Sequence, residues 1–311
     1  MKKVTVVGSG IIGLTTAILL QEAGFQVRII TKENFDHTVS HKVGAIWFPF
    51  EILPKEKTNT WASLSYKRYE IDQQANNGVS FIPFITAYNS EINTEWTQHL
   101  PEGKVREALH SELPTGMERA FISMVPLAEP PKYLPYLCQQ FLGNGGILQH
   151  QEIHSLAEMA LLDEYVINCT GLGAKELCQD KLLHPMRGQI LRCEKLPLTS
   201  FANTLNKGAL GYVITRTEDC IIGGTDYEND WNEKIDPADT KLILKRLKQA
   251  GVSETPSILE EIVGLRPRRK EVRFEFDNLY TNVFHNYGHG GAGYTVAWGC
   301  AIQLAEMLGK K

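Results

Sequence analysis

Three glycines near the start of the chain, Gly8, Gly10 and Gly13, have the GxGxxG spacing that suits dinucleotide binding. They follow an apolar run typical of a buried strand and open a stretch with helical character. In that context Gly8 permits a tight turn, Gly10 lets a pyrophosphate approach the main chain, and Gly13 lets the helix pack closely on the strand. The positive end of the helix would then face the phosphates. The spacing therefore predicts a dinucleotide-binding site.

An acidic side chain near the end of the second strand would complete such a site, because a carboxylate there can accept hydrogen bonds from ribose hydroxyls. The strand-like run "VRII" is followed by Thr31, Lys32 and Glu33. Glu33 is the candidate ribose ligand. A solvated loop carboxylate is the alternative interpretation of the same residue.

A second glycine cluster lies near the other end of the chain, where four glycines occur within Gly288–Gly293 in the stretch "NYGHGGAGYTVAWGCA". A helix is predicted to begin directly after them, near Tyr294 or Thr295. Glycine allows main chain to approach a ligand more closely than any other residue does. The cluster is therefore a candidate ligand contact, and a loop without a ligand is the alternative.

The elements around these residues indicate a strand, helix and strand in "KKVTVVGSGIIGLTTAILLQEAGFQVRII". Further along, "KYLPYLCQQFLGNGG" predicts a helix closed by glycines, and "YVINCTGLGA" predicts a strand that ends at Thr170 and Gly171. Main chain at that strand end is a second place that could touch a bound dinucleotide.

The predicted fold class is α/β: a Rossmann-like nucleotide-binding domain with a β-rich, mixed-sheet substrate domain inserted in pieces. We assign residues 1–50, 132–180 and 265–311 to the first domain, and 51–131 and 181–264 to the second. The first inserted segment has prolines, scattered tryptophans and no clear helical period. The second contains the strand-like runs "RGQILRC", "GYVITR" and "DCIIGGT" before a helical stretch, "ADTKLILKRLKQAG".

Composition excludes several classes of function. A net charge of -4 and a pI near 6.2 disfavour binding to nucleic acid or to an anionic membrane. The six cysteines have no CxxC or metal-ligand spacing, so neither a metal site nor a disulfide framework is expected. No leader is recognised before the first strand, and we expect a cytoplasmic protein. A homodimer is one candidate for its assembly.

Several motifs taken together resemble the D-amino acid oxidase family of FAD flavoproteins, and they occur in order along the chain. They are "VVGSGIIGL", "VGAIWFPF", "VINCTGLGA", "RGQIL", "GYVI" with "IIGGT", "GLRPRR" and "HNYGHGGAGYTVAWGCA". The last motif is the most specific of them. The resemblance implies that FAD is the cofactor and that the protein oxidises D-amino acids to imino acids. Molecular oxygen would reoxidise the flavin and yield hydrogen peroxide.

The resemblance also implies how the cofactor is bound. The glycines from Gly288 to Gly293 would let main chain lie against the flat flavin ring, and Thr295 matches the family position that hydrogen-bonds the flavin. The expected cofactor-binding residues are Gly8, Gly10, Ile11, Ile12, Gly13, Glu33, Gly44, Ala45, Ile153, Thr170, Gly171, Gly290, Gly291, Gly293, Tyr294 and Thr295. His289 is expected to fix main chain by hydrogen bonding.

The substrate residues implied by the resemblance are Arg266, Tyr212 and Gly291. Arg266 and the Tyr212 hydroxyl would bind the substrate carboxylate, and the Gly291 carbonyl would accept from the amine. Arginine suits this role because its planar guanidinium can bind a carboxylate through two hydrogen bonds. Arg268, Arg269 and Arg273 are expected at the surface or in ion pairs. No catalytic acid or base is assigned, because hydride transfer from an unprotonated amine needs mainly alignment.

Three positions depart from the family pattern. Residues 200–211 form a shorter segment than in vertebrate members, with Gly208 where a lid tyrosine would stand, so we expect a less enclosed site. Phe48 replaces a polar residue after Trp47 and makes that wall more apolar. Asp226 stands where relatives specific for D-aspartate carry arginine, which predicts a preference for neutral or basic D-amino acids if Asp226 faces the pocket. A solvent-facing aspartate is the alternative.

Other functions share part of this pattern. An amine oxidase acting on glycine or sarcosine would use the same fold and the same arginine. A nucleotide-binding protein without chemistry, or an NAD-dependent dehydrogenase, would explain the first glycine motif but not "NCTG" or "GHGGAG".

Overall fold

The computed structural model describes residues 2–49, 52–89, 94–206 and 209–309. Its described helices are α1 (Ile11–Glu22), α2 (Lys55–Asp72), α3 (Pro130–Gly143), α4 (Leu156–Ala160), α5 (Ala174–Leu177), α6 (Pro237–Gln249) and α7 (Gly293–Gly309). The first seven strands are β1 (Lys3–Val7), β2 (Gln26–Thr31), β3 (Val79–Tyr88), β4 (Val105–Glu107), β5 (Arg119–Ala128), β6 (Ile147–His150) and β7 (Tyr165–Asn168). They are followed by β8 (His184–Glu194), β9 (Ser200–Asn206), β10 (Ala209–Thr215), β11 (Asp219–Gly223), β12 (Tyr227–Glu228), β13 (Ile258–Phe276) and β14 (Val283–His289).

The described strands form one continuous sheet in the order β4-β5-β3-β9-β10-β11-β8-β13-β14-β7-β1-β2-β6, with β12 paired to β8. The part from β14 to β6 is wholly parallel. The remaining strands pair antiparallel except for β3 with β9. The predicted fold class, a Rossmann-like part joined to a β-rich mixed sheet, is confirmed. The proposed domain boundaries stay a prediction.

Helices cover the parallel part of the sheet. The predicted strand, helix and strand at the start of the chain are β1, α1 and β2. Helix α1 packs against α3 and α7, and α7 packs against α2. A Cβ on Gly299 of α7 would lie 2.6 Å from the carbonyl carbon of Trp61, so glycine is what allows α2 and α7 to touch.

Helix α2 corrects the expectation that residues 51–131 lack a clear helix. Its buried residues recur at helical spacing but are mostly aromatic or small and polar: Thr58, Trp61, Ala62, Ser65, Tyr66, Tyr69 and Asp72. No aliphatic stripe marks the buried face, which is why the pattern was missed. The other predicted elements in the inserted segments, namely the strands β8, β10 and β11 and the helix α6, are confirmed.

Strand β13 joins the two parts of the sheet. It is 19 residues long and pairs with β8 along Ile258–Arg268 and with β14 from Arg268 onwards. The register with β14 shifts between Arg268 and Arg273. Arg266 therefore lies on the β8 side of the joint, two residues before the position where pairing with β14 begins.

Candidate functional site

A cavity of about 850 Å³ extends from the carboxyl ends of the parallel strands across to β8, β10 and β13. The carboxyl edge of a parallel sheet is the usual place for a nucleotide in such folds. Most of the expected cofactor residues line this cavity: Gly8, Gly10, Ile11, Ile12, Glu33, Gly44, Ala45, Ile153, Thr170, Gly171, Gly290, Gly291, Gly293 and Tyr294. The expected substrate residues Tyr212, Asp226 and Arg266 line it as well.

The first glycine motif forms the turn between β1 and the amino end of α1. Gly8 has φ +112°, and a Cβ there would lie 2.5 Å from the Cys169 carbonyl oxygen. Gly13 does not line the cavity; a Cβ on it would lie 2.8 Å from the carbonyl carbon of Gly8. It therefore keeps α1 close to β1, as the spacing predicts.

Ser40 contributes to this end of α1 and was not foreseen. Its Oγ accepts a hydrogen bond from the Ile11 amide at 3.1 Å, and its carbonyl accepts from the Tyr294 hydroxyl at 2.9 Å. Ser40 also lines the cavity. It connects the amino ends of α1 and α7, and because it reaches them by a loop that folds back, no local sequence pattern reveals it.

Glu33 lies at one end of the cavity, where hydroxyl groups hold its main chain. The hydroxyls of Ser9 and Thr31 donate to the Glu33 carbonyl at 3.0 and 2.6 Å. Lys32 beside it pairs with Glu152 at 2.7 Å. The Glu33 side chain is exposed at the cavity, so a carboxylate is available where a ribose would lie in a nucleotide complex.

The end of β7 is held by a buried polar group beneath the cavity. The Oδ1 of Asn168 accepts from both the amide and the hydroxyl of Thr170, at 3.2 and 2.7 Å. Asn168 Nδ2 lies 3.2 Å from His285 Nδ1, and His285 Nε2 lies 3.0 Å from Asp277. Gly171 then turns with φ +55°, and a Cβ on it would meet a single protein atom within 4 Å, Pro267 Cγ at 3.9 Å. Bare main chain therefore faces the cavity.

The second glycine cluster leads into α7, which begins at Gly293, close to the predicted start. Gly290 has φ +55°, and its amide donates to the Pro267 carbonyl at 2.8 Å. This bond fixes the loop directly beside Arg266. Gly291 follows, and a Cβ on it would lie 3.7 Å from Arg266 Cδ.

Thr295 lies behind the cavity surface. It is buried, and its hydroxyl accepts from the Phe48 amide at 3.0 Å and donates to the Phe48 carbonyl at 2.9 Å. The side chain is therefore committed to the main chain of Phe48. The predicted contact of Thr295 with the cofactor stays a prediction, and its main-chain amide at the start of α7 is the group left to make it.

His289 is buried, and its Nε2 lies 3.7 Å from Cys300 Sγ. This ring nitrogen thus contacts a thiol, and the expected hydrogen bonding of His289 to main chain stays a prediction. Burial lowers the pKa of His289 to about 3, so the imidazole is neutral across the physiological range.

The neutral, buried state of His289 predicts that stability falls with acidification. The unfolded chain takes up a proton near pH 6.5 and the folded chain does not, so this contribution is complete above pH 6.5 and is lost as the pH falls toward 3. The slope is at most about 1.4 kcal/mol per pH unit for one histidine. Urea unfolding of the wild type and of His289→Gln at pH 7.5, 6.5 and 5.5 measures it, and equal slopes in both proteins would refute the assignment.

The other end of the cavity brings together Arg266, Tyr212 and Asp226. The Arg266 guanidinium donates to the Thr225 carbonyl at 3.3 Å. The Tyr212 hydroxyl lies close enough to Arg266 to interact with its guanidinium. Burial raises the pKa of Tyr212, although the positive charge of Arg266 opposes this, so the phenol stays protonated and can donate. Asp226, exposed at the mouth, also acts electrostatically on Tyr212.

An aromatic and aliphatic wall faces these polar groups. Phe48 lines the cavity and packs against Phe84 and Trp96, with ring centroids 6.1 and 5.1 Å apart. Gly44 lies against Ile214, because a Cβ there would lie 3.5 Å from Ile214 Cγ1 and still closer to its Cδ1. The wall is apolar, as the Phe48 departure suggested. Gly208 lies outside the described residues.

The neighbouring arginines have other partners. Arg269 pairs with Asp180 at 3.0 Å, and Arg273 pairs with Glu275 at 3.0 Å. Arg268 approaches the glycine loop, since a Cβ on Gly290 would lie 3.4 Å from Arg268 Cδ. Of the arginines in "GLRPRRKEVR", Arg266 is the one that lines the cavity.

The residues present fit FAD. The cavity volume lies within the range of cofactor sites, roughly 300–1,000 Å³. The amino ends of α1 and α7 both open on it, and helix amino ends attract phosphate and other electron-rich groups. Gly171, Gly290 and Gly291 expose main chain with little protein around it, which suits a flat ring. Asn286 is buried with its Oδ1 unpartnered beside the cavity, leaving an acceptor for a ligand or water.

The part of the chain that the structure describes shows neither a metal cluster nor a membrane span. No group of three or more His, Cys, Asp or Glu side chains is arranged to hold a metal ion there. None of the helices in that part is both long and apolar enough to cross a membrane.

Comparison with known proteins places the chain in a family. A family model described as FAD dependent oxidoreductase matches residues 3–307. A D-amino-acid oxidase of Rubrobacter xylanophilus is 36% identical over 313 residues, which are 99% of this chain and 96% of the relative. A D-aspartate oxidase of Homo sapiens is 28% identical, and the match covers 98% of this chain and 94% of that relative. Glycine oxidase from Geobacillus kaustophilus has the same fold, with a TM-score of 0.79, 14% identity, and coverage of 100% of this chain and 96% of that one. The chain therefore belongs to the D-amino acid oxidase family of FAD-dependent oxidoreductases.

Proposed function

We propose that the protein is an oxidase that converts D-amino acids to imino acids, which hydrolyse in water to 2-oxo acids and ammonia. The observation that carries the proposal is the convergence of Arg266 and Tyr212 beside the glycine loop that is hydrogen-bonded to Pro267. FAD would supply the two-electron acceptor for the hydride of the substrate α-carbon, with molecular oxygen as the final acceptor that yields hydrogen peroxide.

Arg266 and Tyr212 are proposed to bind the substrate carboxylate. A guanidinium is permanently charged and can make two parallel hydrogen bonds to a carboxylate, which fixes both position and rotation. The protonated Tyr212 hydroxyl adds a third donor beside it. Because the Gly290 amide is bonded to the Pro267 carbonyl, the arginine and the glycine loop keep a constant separation. A bound amino acid would then be held with little rotational freedom, which is what proximity catalysis requires.

The amine of the substrate is proposed to donate to the Gly291 carbonyl, the neighbour of Gly290 in the same loop. Gly291 lies along the aliphatic part of Arg266, so a molecule that binds the guanidinium by its carboxylate would extend past this carbonyl. We assign no histidine as a base: His289 lines the cavity, but its Nε2 lies against Cys300 and its lowered pKa makes it a weak proton acceptor. Catalysis in this site is mainly alignment.

Asp226 is proposed to favour neutral or basic D-amino acids over acidic ones. It lines the cavity in the segment that follows Thr225, whose carbonyl accepts from Arg266. A second carboxylate on the substrate would face this negative charge, and like charges repel more strongly at a partly desolvated site than in water.

Asp226→Asn tests this selectivity. We expect the ratio of kcat/KM for D-arginine to that for D-norleucine to fall about fivefold or more, because the variant keeps the shape and loses the charge. Both substrates have an unbranched aliphatic stem, and D-arginine adds the cation, so a change in the ratio reports mainly the effect of the charge. An unchanged ratio in Asp226→Asn would show that this aspartate does not face the substrate side chain.

An oxidase of glycine or of a secondary amine is the second candidate, since glycine oxidase from Geobacillus kaustophilus has the same fold. The two functions differ in whether the cavity accepts a side chain. The two candidate functions can be distinguished with purified protein loaded with FAD. The protein is mixed anaerobically with D-alanine, D-methionine, L-methionine or glycine. Loss of the yellow flavin colour with the D-amino acids supports the proposal, whereas bleaching by glycine alone supports the alternative.

A further inference from the structure

The segment Arg187-Gly188-Gln189 on β8 lies directly beneath the carboxylate-binding end of the cavity. Side chains alternate between the two faces of a strand, so Gly188 faces one side and its two neighbours face the other. Gly188, Met186 and Ile190 line the cavity, whereas Arg187 and Gln189 do not. Both neighbours are buried, at 2% and 0% exposure.

Gly188 provides the surface on which Arg266 lies. Gly264 pairs with Gly188 across β13 and β8, two residues before Arg266. A Cβ on Gly188 would lie 2.5 Å from Arg266 Nη1 and 2.6 Å from Cζ, with Nη2 closer still. The guanidinium therefore lies flat on the main chain of Gly188. Any side chain at this position would displace the end of Arg266 without disturbing the backbone.

Arg187 holds residues 231–234, which form a segment at the mouth of the cavity (the mouth segment). Its Nε donates to the Asn232 carbonyl at 2.7 Å and its Nη2 to the Lys234 carbonyl at 2.8 Å. Its Nη1 pairs with Asp239 of α6 at 2.6 Å. Trp231 and Glu233, on the segment that is held in this way, line the cavity.

Gln189 connects the same segment with Thr225. Its side chain accepts from the Asp236 amide at 2.8 Å and donates to the Asp236 carbonyl at 3.0 Å and the Thr240 hydroxyl at 2.9 Å. Its main-chain amide donates to Thr225 Oγ1 at 2.9 Å, and its carbonyl accepts from the Thr225 amide at 3.2 Å. Thr225 is the residue whose carbonyl binds Arg266.

We propose that Arg187, Gly188 and Gln189 are positioning residues for Arg266. Gly188 provides the flat surface on which the guanidinium lies, and Arg187 and Gln189 hold Thr225 and the mouth segment beside Arg266. The proposal rests on the proposed function, because it assumes that Arg266 receives a carboxylate. Buried polar networks of this kind specify one geometry when every member is satisfied. The role of the three residues is to set carboxylate affinity. None of them is an expected cofactor residue, so we expect FAD content to stay unchanged when they are substituted.

The test measures carboxylate binding apart from turnover. FAD-loaded wild type, Gly188→Ala, Gln189→Glu and Gln189→Met are titrated with 3-phenylpropionate, a carboxylate that lacks the amine and cannot be oxidised at that position. Binding is followed by calorimetry and by the change in the visible flavin spectrum. FAD content and Tm are recorded for each protein, and Gly143→Ala serves as a control, because a Cβ there meets no atom within 4 Å.

We expect Gly188→Ala to raise the Kd for 3-phenylpropionate at least tenfold with FAD content unchanged, because the added methyl displaces the guanidinium. Gln189→Met should raise the Kd and lower the Tm, and Gln189→Glu, which keeps the acceptor for Asp236, should lose less affinity. A Kd in Gly188→Ala within twofold of the wild type overturns the proposal, whatever Gln189→Met does. Even if Gln189→Met fails to fold, the glycine variant decides.

The two proposals fail in different ways. If D-amino acids do not bleach the wild type but Gly188→Ala still loses carboxylate binding, the proposed function is wrong and the positioning role stands. If the wild type is bleached and Gly188→Ala binds 3-phenylpropionate as tightly as the wild type, only the positioning role is wrong.

Discussion

Replacing Arg266 with leucine is expected to slow bleaching by D-amino acids severely while the protein still binds FAD. Leucine keeps much of the aliphatic volume beside Gly291 but removes the guanidinium, its bond to the Thr225 carbonyl and the two bonds proposed to the substrate carboxylate. Losing a charge-assisted, bidentate contact at a desolvated site costs about 2–5 kcal/mol. Converted at 1.4 kcal/mol per factor of ten, this is roughly a 30-fold to 4,000-fold loss in kcat/KM.

Anaerobic stopped-flow reduction with D-methionine measures this loss, and the visible spectrum before mixing reports bound FAD. Arg192→Leu is the matched control, because Arg192 lies on β8, pairs with Glu260 at 3.0 Å and does not line the cavity. Arg266→Lys should retain part of the rate, since it keeps the charge and loses the planar fork. Undiminished bleaching of Arg266→Leu would contradict the proposed function at its centre.

Gly8→Ala is expected to prevent stable FAD binding. Gly8 has φ +112°, and its added Cβ would lie 2.5 Å from the Cys169 carbonyl oxygen, which is main chain and cannot move aside cheaply. Relief of the clash would separate β1 from the end of β7, and the amino end of α1 would move with the turn. We expect at least a tenfold lower FAD content after purification and a corresponding rise in the Kd for FAD.

Gly24→Ala separates this effect from backbone strain alone. Gly24 belongs to the same strand, helix and strand and has φ +86°, but a Cβ there meets no atom within 4 Å. Its variant carries a similar left-handed strain of about 1–2 kcal/mol and no clash. Flavin fluorescence titration of the two apoproteins compares them directly. If both lose FAD equally, strain rather than the contact with Cys169 is responsible.

The sequence predicted the elements whose evidence is local. The first strand, helix and strand, the helix closed by Gly143 and Gly145, and the start of α7 all depend on patterns within about twenty residues, and they are found close to the predicted positions. Helix α2 escaped because its buried face is built from tyrosine, tryptophan and small polar residues. Hydrophobic periodicity carries no signal for such a face.

The geometry of the site could be predicted only in part, because it depends on pairing between distant strands. Composition does not distinguish Arg266 from Arg268 or Arg269, which occupy the same short motif. What distinguishes Arg266 is that β13 pairs with β8 so that Gly264 lies beside Gly188, and the guanidinium then lies on that glycine. The resemblance to the family identifies Arg266, and the pairing of β13 with β8 explains why this arginine lies at the cavity.

Thr295 and Ser40 illustrate the same limit for the cofactor residues. The Thr295 side chain is engaged by the main chain of Phe48, and Ser40 meets the amide of Ile11. Both arrangements arise where a loop returns to a helix end. A pattern of residue types along one segment does not predict a contact between a loop and the end of a helix that is distant in sequence.

The length of β13 has a mechanical consequence. The first half of this one strand is hydrogen-bonded to β8, and its second half is hydrogen-bonded to β14. A hinge between the two parts would have to bend this strand between Arg268 and Arg273, where its register with β14 shifts, close to Arg266. We expect substrate capture to proceed without closure of two lobes, because both parts of the sheet share this strand. Entry and exit are left to the segments at the rim, and differences in turnover among variants of this protein should map to those segments, with the sheet acting as a fixed frame.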